Sequence, residues 1–291
     1  MAELFWVMAV AGGVIWIGVM MAYLHARRSR PRPWSEAAAG RLIFWGGVVF
    51  PTVSLAALLG YALWLMPGLR PWTEATPAGL VVEVTGRQYW WEITYHPPGG
   101  APVTTANELR LPVGEPVEFR LASPDVIHSF WIPPLGGKMD MIPGRVNRLT
   151  LEADRPGTFR GACAEYCGTS HALMTLTAVA EGADAFARWL ASEASPSPGI
   201  GAAGADAFLE EGCGACHTVR GTEAAGRVGP DLSHYGARAS LGAGALPRSP
   251  VNTARFIESP EAVKPGAEMP AYDMLSDERL SAIANWLEGL R

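Results

Sequence analysis

Between positions 163 and 174 the chain reads Cys163-Ala-Glu-Tyr-Cys167-Gly-Thr-Ser-His171-Ala-Leu-Met174, which gathers two thiols, an imidazole and a thioether within twelve residues. Soft sulfur with imidazole is the donor set that copper prefers. A second imidazole is available upstream at His128, in Asp125-Val-Ile-His-Ser-Phe. Taken singly, these residues have plainer explanations: an exported disulfide for the cysteines, a satisfied core histidine at 128 and a packed methionine at 174. Their order and spacing together favour a metal site. The other two cysteines fall in Cys213-Gly-Ala-Cys216-His217. This is the pattern of covalent haem attachment, in which two thiols add to the haem vinyl groups and the next residue supplies the proximal imidazole. A bare CxxC also serves redox or zinc chemistry, but the adjacent histidine and the absence of a second cysteine pair in this segment argue against both.

Strands must hold the first constellation. From Leu80 to Ala180 short Val/Ile/Leu/Thr/aromatic runs (Leu80–Val84, Tyr89–Tyr95, Val117–Leu121, Val146–Leu151, Met174–Val179) alternate with Gly/Pro clusters, the layout of a β-sandwich or small barrel. A helix is expected over Asp184–Ser192. Ser195–Gly204 follows as a Pro/Gly/Ser/Ala linker of flexible composition. The second constellation needs helices: Ala205–Gly212, and Asp277–Leu290, where Leu280, Ile283, Ala284 and Leu287 share one face. Gly and Pro interrupt everything between, as in a small helical domain organised around a cofactor.

Two uncharged runs, Leu4–Leu24 and Leu42–Met66, are each long enough to cross a bilayer as a helix. Pro51 lies inside the second, where a kink is tolerable. Arg27, Arg28, Arg30, Arg32 and Arg41 lie between them against one acid, Glu36, which places this loop in the cytoplasm and both termini outside. Removing those five Arg, Glu3 and Glu36 from the 23 basic and 28 acidic residues leaves an acidic exported part of 18 against 26. With a net charge of −5 over 291 residues there is no cationic excess to neutralise phosphates, so a nucleic-acid binder is excluded.

Gly86-Arg-Gln-Tyr-Trp-Trp91, Asp125-Val-Ile-His-Ser129, Pro143-Gly-Arg145 and the Cys163–Met174 cluster resemble subunit II of cytochrome c oxidase, from Met1 to about Ala180. The segment from Ala205 resembles cytochrome c, and the two together resemble the caa-type subunit II. The fold class implied is multidomain: a transmembrane hairpin over 1–68, an all-β cupredoxin-like Greek-key sandwich over 79–182, a helix and flexible linker over 183–204, and a small all-α class I cytochrome c domain over 205–291. The resemblance implies a dinuclear copper centre, CuA. Cys163 and Cys167 would bridge its ions, His128 and His171 would be terminal ligands, and Met174 sulfur and the Glu165 carbonyl weak axial ones. It further implies that the Glu165 carboxylate faces a Mg2+ shared with subunit I, and that Tyr89, Trp90 and Trp91 form the patch where electrons arrive.

In the haem domain, Lys264-Pro-Gly-Ala-Glu-Met269-Pro270 resembles the axial-methionine loop, so Cys213, Cys216, His217 and Met269 would hold haem c, with Met274 and His234 as rivals to Met269. Gly229-Pro230-Asp231-Leu232 resembles the segment whose proline packs beside the proximal histidine. The chain would then be the electron-input subunit of a proton-pumping terminal oxidase in the bacterial inner membrane, with its soluble domains on the periplasmic side. Its partners would be subunits I and III and a donor cytochrome or quinol-oxidising complex. Two departures stand out: Glu36 is the nearest carboxylate to the second span, and Asp125 follows Pro124 where an acid would assist docking. The alternatives are the input subunit of a nitric oxide reductase and a membrane redox sensor or copper carrier. Six His are too few for a nitrous oxide reductase.

Overall fold

The computed structural model describes residues 2–28, 35–69, 79–200 and 204–291, so Arg30, Arg32 and residues 201–203 of the linker lie outside it. Met1–Arg70 and Pro71–Arg291 form two units. In the first, α1 (Ala2–Arg28) carries no charge from Leu4 to Leu24 and ends in a basic turn of His25, Arg27 and Arg28. The second apolar helix starts earlier than its hydropathy suggests. Ser35 caps α2 (Glu36–Phe44), its hydroxyl accepting from the Ala38 amide, and a π turn over Trp45–Val49 leads into α3 (Phe50–Leu69). Pro51 has no N–H to give, so the ladder widens in the turn before it. The Thr52 hydroxyl donates to the Val48 carbonyl at 2.7 Å.

In the second unit, strands pair into two sheets. One is ordered β3-β2-β1-β5-β8 from β1 (Leu80–Arg87), β2 (Trp90–His96), β3 (Val103–Ala106), β5 (Val117–Ala122) and β8 (Asn147–Leu151). The other is β4-β10-β9-β6-β7 from β4 (Glu108–Pro112), β6 (His128–Trp131), β7 (Met139–Met141), β9 (Gly157–Cys163) and β10 (Thr175–Glu181). Strict alternation in β1, β2, β5 and β10 sends every second side chain inward. Trp91, Tyr95, Phe119 and Phe130 fill the space between the sheets. All five runs read from sequence form strands, β1, β2, β5, β8 and β10, with their ends shifted by a few residues. The short strands β3, β6 and β7 and the largely exposed start of β9 carry too little alternation to stand out, whereas β4 alternates over Glu108–Leu111 but is only five residues long. After β10, α4 (Ala183–Glu193) closes one end by packing Phe186 and Trp189 on Tyr95.

The C-terminal part packs α5 (Ala205–Glu210), α6 (Pro250–Glu258), α7 (Pro260–Val263) and α8 (Asp277–Gly289) around Phe208, Ile257, Ile283 and Trp286. The expected face of α8 is buried, and Ser276 caps its first turn. The turn of a short ribbon, β11 (Ser240–Leu241) with β12 (Leu246–Pro247), meets β10 of the sandwich, where the Ala243 carbonyl accepts from Thr175. Where a free tether was expected, residues 195–200 are packed. Ser197 is buried and donates to the Arg291 carbonyl at 3.1 Å, and Gly199 lies so close to the Gly289 backbone that a Cβ would come within 2.6 Å of its carbonyl oxygen. Small residues make a poor core of their own, but they let backbone approach backbone.

Candidate copper and haem centres

The copper cluster hangs on β6 and β9. The antiparallel register sets Phe130 opposite Cys163, which brings His128 beside the end of β9. The loop after Cys163 returns on itself: the Ala164 amide donates to the Ser129 carbonyl and the Cys163 amide to the Met174 carbonyl, at 2.9 and 3.0 Å. Gly168 makes the fold-back possible at φ +130°, since a Cβ there would strike the Tyr89 hydroxyl. The donor atoms converge as a result. Cys163 Sγ lies 3.8 Å from His128 Nδ1, and Cys167 Sγ lies 3.6 Å from His171 Nδ1 and 3.9 Å from Met174 Sδ. The Glu165 carbonyl oxygen stands 3.2 Å from Cys163 Sγ, while the Glu165 side chain is exposed.

His128 is fully buried, and its tautomer follows from its partner. Nε2 sits 2.9 Å from Asp125 Oδ1, an oxygen that only accepts, so Nε2 carries the proton and the Nδ1 lone pair faces the thiol. Asp125 is held in turn by the amides of Val126 and Gln88 at 2.6 and 2.8 Å. Burial works against its ionisation, but these bonds and the His128 contact outweigh it and keep the carboxyl below its ordinary range. The hydrogen bond from Cys167 is the largest influence lowering the Cys163 thiol, to about 3. The same contact, with burial, drives Cys167 upward. The pair therefore holds one thiolate by itself, and two only with positive charge between them. His128, Cys163 and Cys167 offer donor atoms within 4.8 Å of one another, and His171 and Met174 adjoin Cys167; thiols, imidazoles and a thioether so grouped fit copper.

The haem residues are positioned by turns. The Cys216 amide donates to the Cys213 carbonyl at 3.2 Å, which curls Cys213–Ala215 into a 3-10 turn, and the His217 amide reaches the same carbonyl at 3.0 Å. His217 Nδ1 lies 2.8 Å from the Pro230 carbonyl and must donate to it, leaving the Nε2 lone pair free for iron. Gly229 is needed beside the ring, because a Cβ would come within 2.5 Å of it. A largely apolar cavity is bordered by Cys213, Cys216, His217 and Met269, with Phe208, Ile283 and Leu287 behind them. Arg238 also borders it; its buried Nε has no partner among the described residues and suits an acidic group on a bound ligand. These features fit haem. Of the rivals to Met269, His234 is buried against Glu193, 3.7 Å away, outside the cavity lining. Met274 is 73% exposed, so it neither reaches the cavity nor packs in the core.

The aromatic patch divides three ways. Trp91 is a core residue packed on Phe130 and His128. Tyr89 is buried with its hydroxyl 3.1 Å from Thr169 Oγ1, and Trp90 borders the haem cavity. Sequence reasoning missed Gln88, which borders that cavity while its Nε2 donates to the Cys167 carbonyl at 2.6 Å. Its place inside the Gly86–Trp91 motif was the available signal.

A β-sandwich bearing a sulfur–imidazole cluster suited to copper is joined to a helical domain bearing a CxxCH pocket suited to haem. Residues 101–181 match the family described as cytochrome c oxidase subunit II, periplasmic domain, and residues 201–291 match cytochrome c. The chain thus carries the periplasmic domain of the cytochrome c oxidase subunit II family followed by a cytochrome c domain. It is 40% identical over 214 residues to cytochrome c oxidase subunit 2 of Alkalihalophilus pseudofirmus, covering 72% of this chain and 61% of that one. To subunit 2 of Bacillus subtilis it is 34% identical over 226 residues, covering 73% and 62%. The chain thus spans about three fifths of the length of these curated relatives. The crystal structure of the periplasmic domain of subunit II of cytochrome oxidase of Bradyrhizobium japonicum aligns at 31% identity over 40% of this chain and 94% of that one, with a TM-score of 0.38. The two apolar helices fit a membrane protein with a periplasmic domain.

Proposed function

We propose that this chain is the electron-input subunit of a proton-pumping haem–copper terminal oxidase. Bound haem c and a dinuclear CuA centre would supply one-electron carriage in series, from a donor cytochrome toward haem in subunit I, where oxygen is reduced to water. Cys213 and Cys216 would hold the haem covalently, with His217 and Met269 as axial ligands. Cys163 and Cys167 would bridge the copper ions, His128 and His171 would terminate them, and Met174 and the Glu165 carbonyl would approach as weak ligands. The Glu165 carboxylate, exposed beside the cluster, is the candidate for a Mg2+ shared with subunit I. The cytoplasmic arginine loop, the outward termini, the inner-membrane location and subunits I and III as partners belong to the same reading, as do domain limits at 1–68, 79–182, 183–204 and 205–291.

The observation that carries this reading is the shared wall. Gln88, Tyr89 and Trp90 of the sandwich border the haem cavity, and Gln88 is hydrogen-bonded to the backbone of Cys167. Rigid contact between two redox sites serves transfer between them and is superfluous in a copper carrier. The test is to purify the full chain with its partners, identify them by mass spectrometry, count copper and haem, and compare consumption of oxygen and nitric oxide. Two coppers and one haem per chain in a complex that consumes oxygen are expected. A complex that turns over nitric oxide and not oxygen would replace the oxidase reading.

A further inference from the structure

The loop ahead of Met269 holds a buried lysine at the edge of the haem cavity, Lys264, that is not among the candidate haem ligands. Lys264 is 3% exposed, and its amine donates to the Gly242 carbonyl of its own domain at 2.5 Å and to the Tyr89 carbonyl of the sandwich at 2.6 Å. No carboxylate pairs with it among the described residues. Burying an amine without an acid is costly, and packing within the cytochrome domain does not account for it, because one of its two acceptors belongs to the other domain. The next two residues continue the seam. The Pro265 carbonyl accepts from the hydroxyls of Thr169 and Ser170 at 3.0 and 2.6 Å, and a Cβ on Gly266 would lie 2.6 Å from Thr169 Oγ1.

We propose that Lys264 is a positioning residue for electron transfer between the domains: its amine straps the methionine loop to the Gln88–Tyr89 turn and so fixes the haem cavity against the copper loop. The proposal rests on the electron-input reading. The step it serves is the loss of one electron by haem iron and its gain by the copper pair, with no proton or bond change required of Lys264. Tyr89 carries the acceptor, and its neighbour Gln88 reaches both Cys167 and Asp125. The strap therefore holds the same turn that braces the copper ligands.

The chain supplies its own reference amine, since Lys138 and Lys264 are its only two lysines and the Lys138 side chain is 45% exposed. Acylation of the full chain in detergent with a succinimidyl ester, read by peptide mass spectrometry, should label Lys138 about tenfold faster than Lys264 or more, because a buried amine reacts only after local opening. Lys264→Met keeps the length of the side chain and removes its donors. It should retain covalent haem and copper absorption, while haem-to-copper transfer after flash reduction slows by about tenfold and becomes dependent on solvent viscosity, the domains now having to find each other by diffusion. Equal labelling of the two lysines would overturn the strap whether or not the variant folds. So would a Lys264→Met chain that transfers at the parent rate without viscosity dependence. Protection of Lys264 in a parent chain that shows no haem-to-copper transfer would refute the electron-input reading and with it the assigned role, leaving only a docking contact.

Discussion

Replacing Gly244 by alanine should wedge the two domains apart while leaving each folded. Gly244 has φ +87° in the turn between β11 and β12, and a Cβ there would fall inside the Thr175 hydroxyl. The residue before it, Ala243, offers its carbonyl to both the Thr175 amide and the Thr175 hydroxyl, at 2.9 and 2.8 Å. The left-handed backbone costs alanine about 1–2 kcal/mol, and the two bonds across the seam are worth about 0.5–1.5 kcal/mol each. Gly242→Ala separates these effects. It incurs a comparable strain at φ +61°, but its Cβ would meet only Phe256 and Ala245 of its own domain, at 3.3 and 3.4 Å. Thermal unfolding should be followed at the haem and copper absorption bands separately. Strain alone should lower the transition by about 2–4 °C per kcal/mol for two domains that melt as one unit, with both bands moving together in Gly242→Ala. In Gly244→Ala the bands should part, the haem domain melting first. Coincident bands with the same shift in both variants would refute a close-fitted seam.

Met269→Ala should abolish the thioether-to-iron absorption at the red edge of the oxidised spectrum and lower the haem potential, with haem still attached through Cys213 and Cys216. Met274→Ala should leave the spectrum intact, its side chain being in solvent. Asp125→Ala frees the His128 ring and should weaken copper binding by about 10–100-fold in chelator competition, the usual loss when the partner of a ligating histidine is removed. Burial pushes the Lys264 amine down to about 7, whereas an unfolded lysine titrates near ~10.4. Between those values the unfolded chain binds the extra proton, so stability should rise with pH across that window and level off above it. In Lys264→Met this rise should be missing from denaturant titrations at successive pH values.

The chemistry was legible because it is local. Cys163 to Met174 and Cys213 to His217 are short runs in which residue type and spacing carry the meaning, and the inward face of α8 follows from its own periodicity. What joins the domains was not legible. Tyr89 and Lys264 are 175 positions apart, and Ala239 meets Glu108 through a backbone N–H that any residue but proline would offer. Composition also misled at 195–200, where small residues read as slack but serve close packing. Trp91 was grouped with its aromatic neighbours, although alternation along β2 sends it into the core and leaves Trp90 toward the haem cavity.

The sandwich surface around Trp90 is taken up by the chain's own haem domain, and this divides responsibilities in a way that bears on divergence. The rim of the haem cavity facing solvent includes Val228, Glu268 and Pro270, all exposed and none a copper donor. On the electron-input reading, substitutions there would alter the docking face without touching a candidate metal ligand or the Tyr89–Lys264 seam. Contact with a donor would, on the same reading, be set by this rim, separately from the internal junction, which has to match two surfaces of one polypeptide.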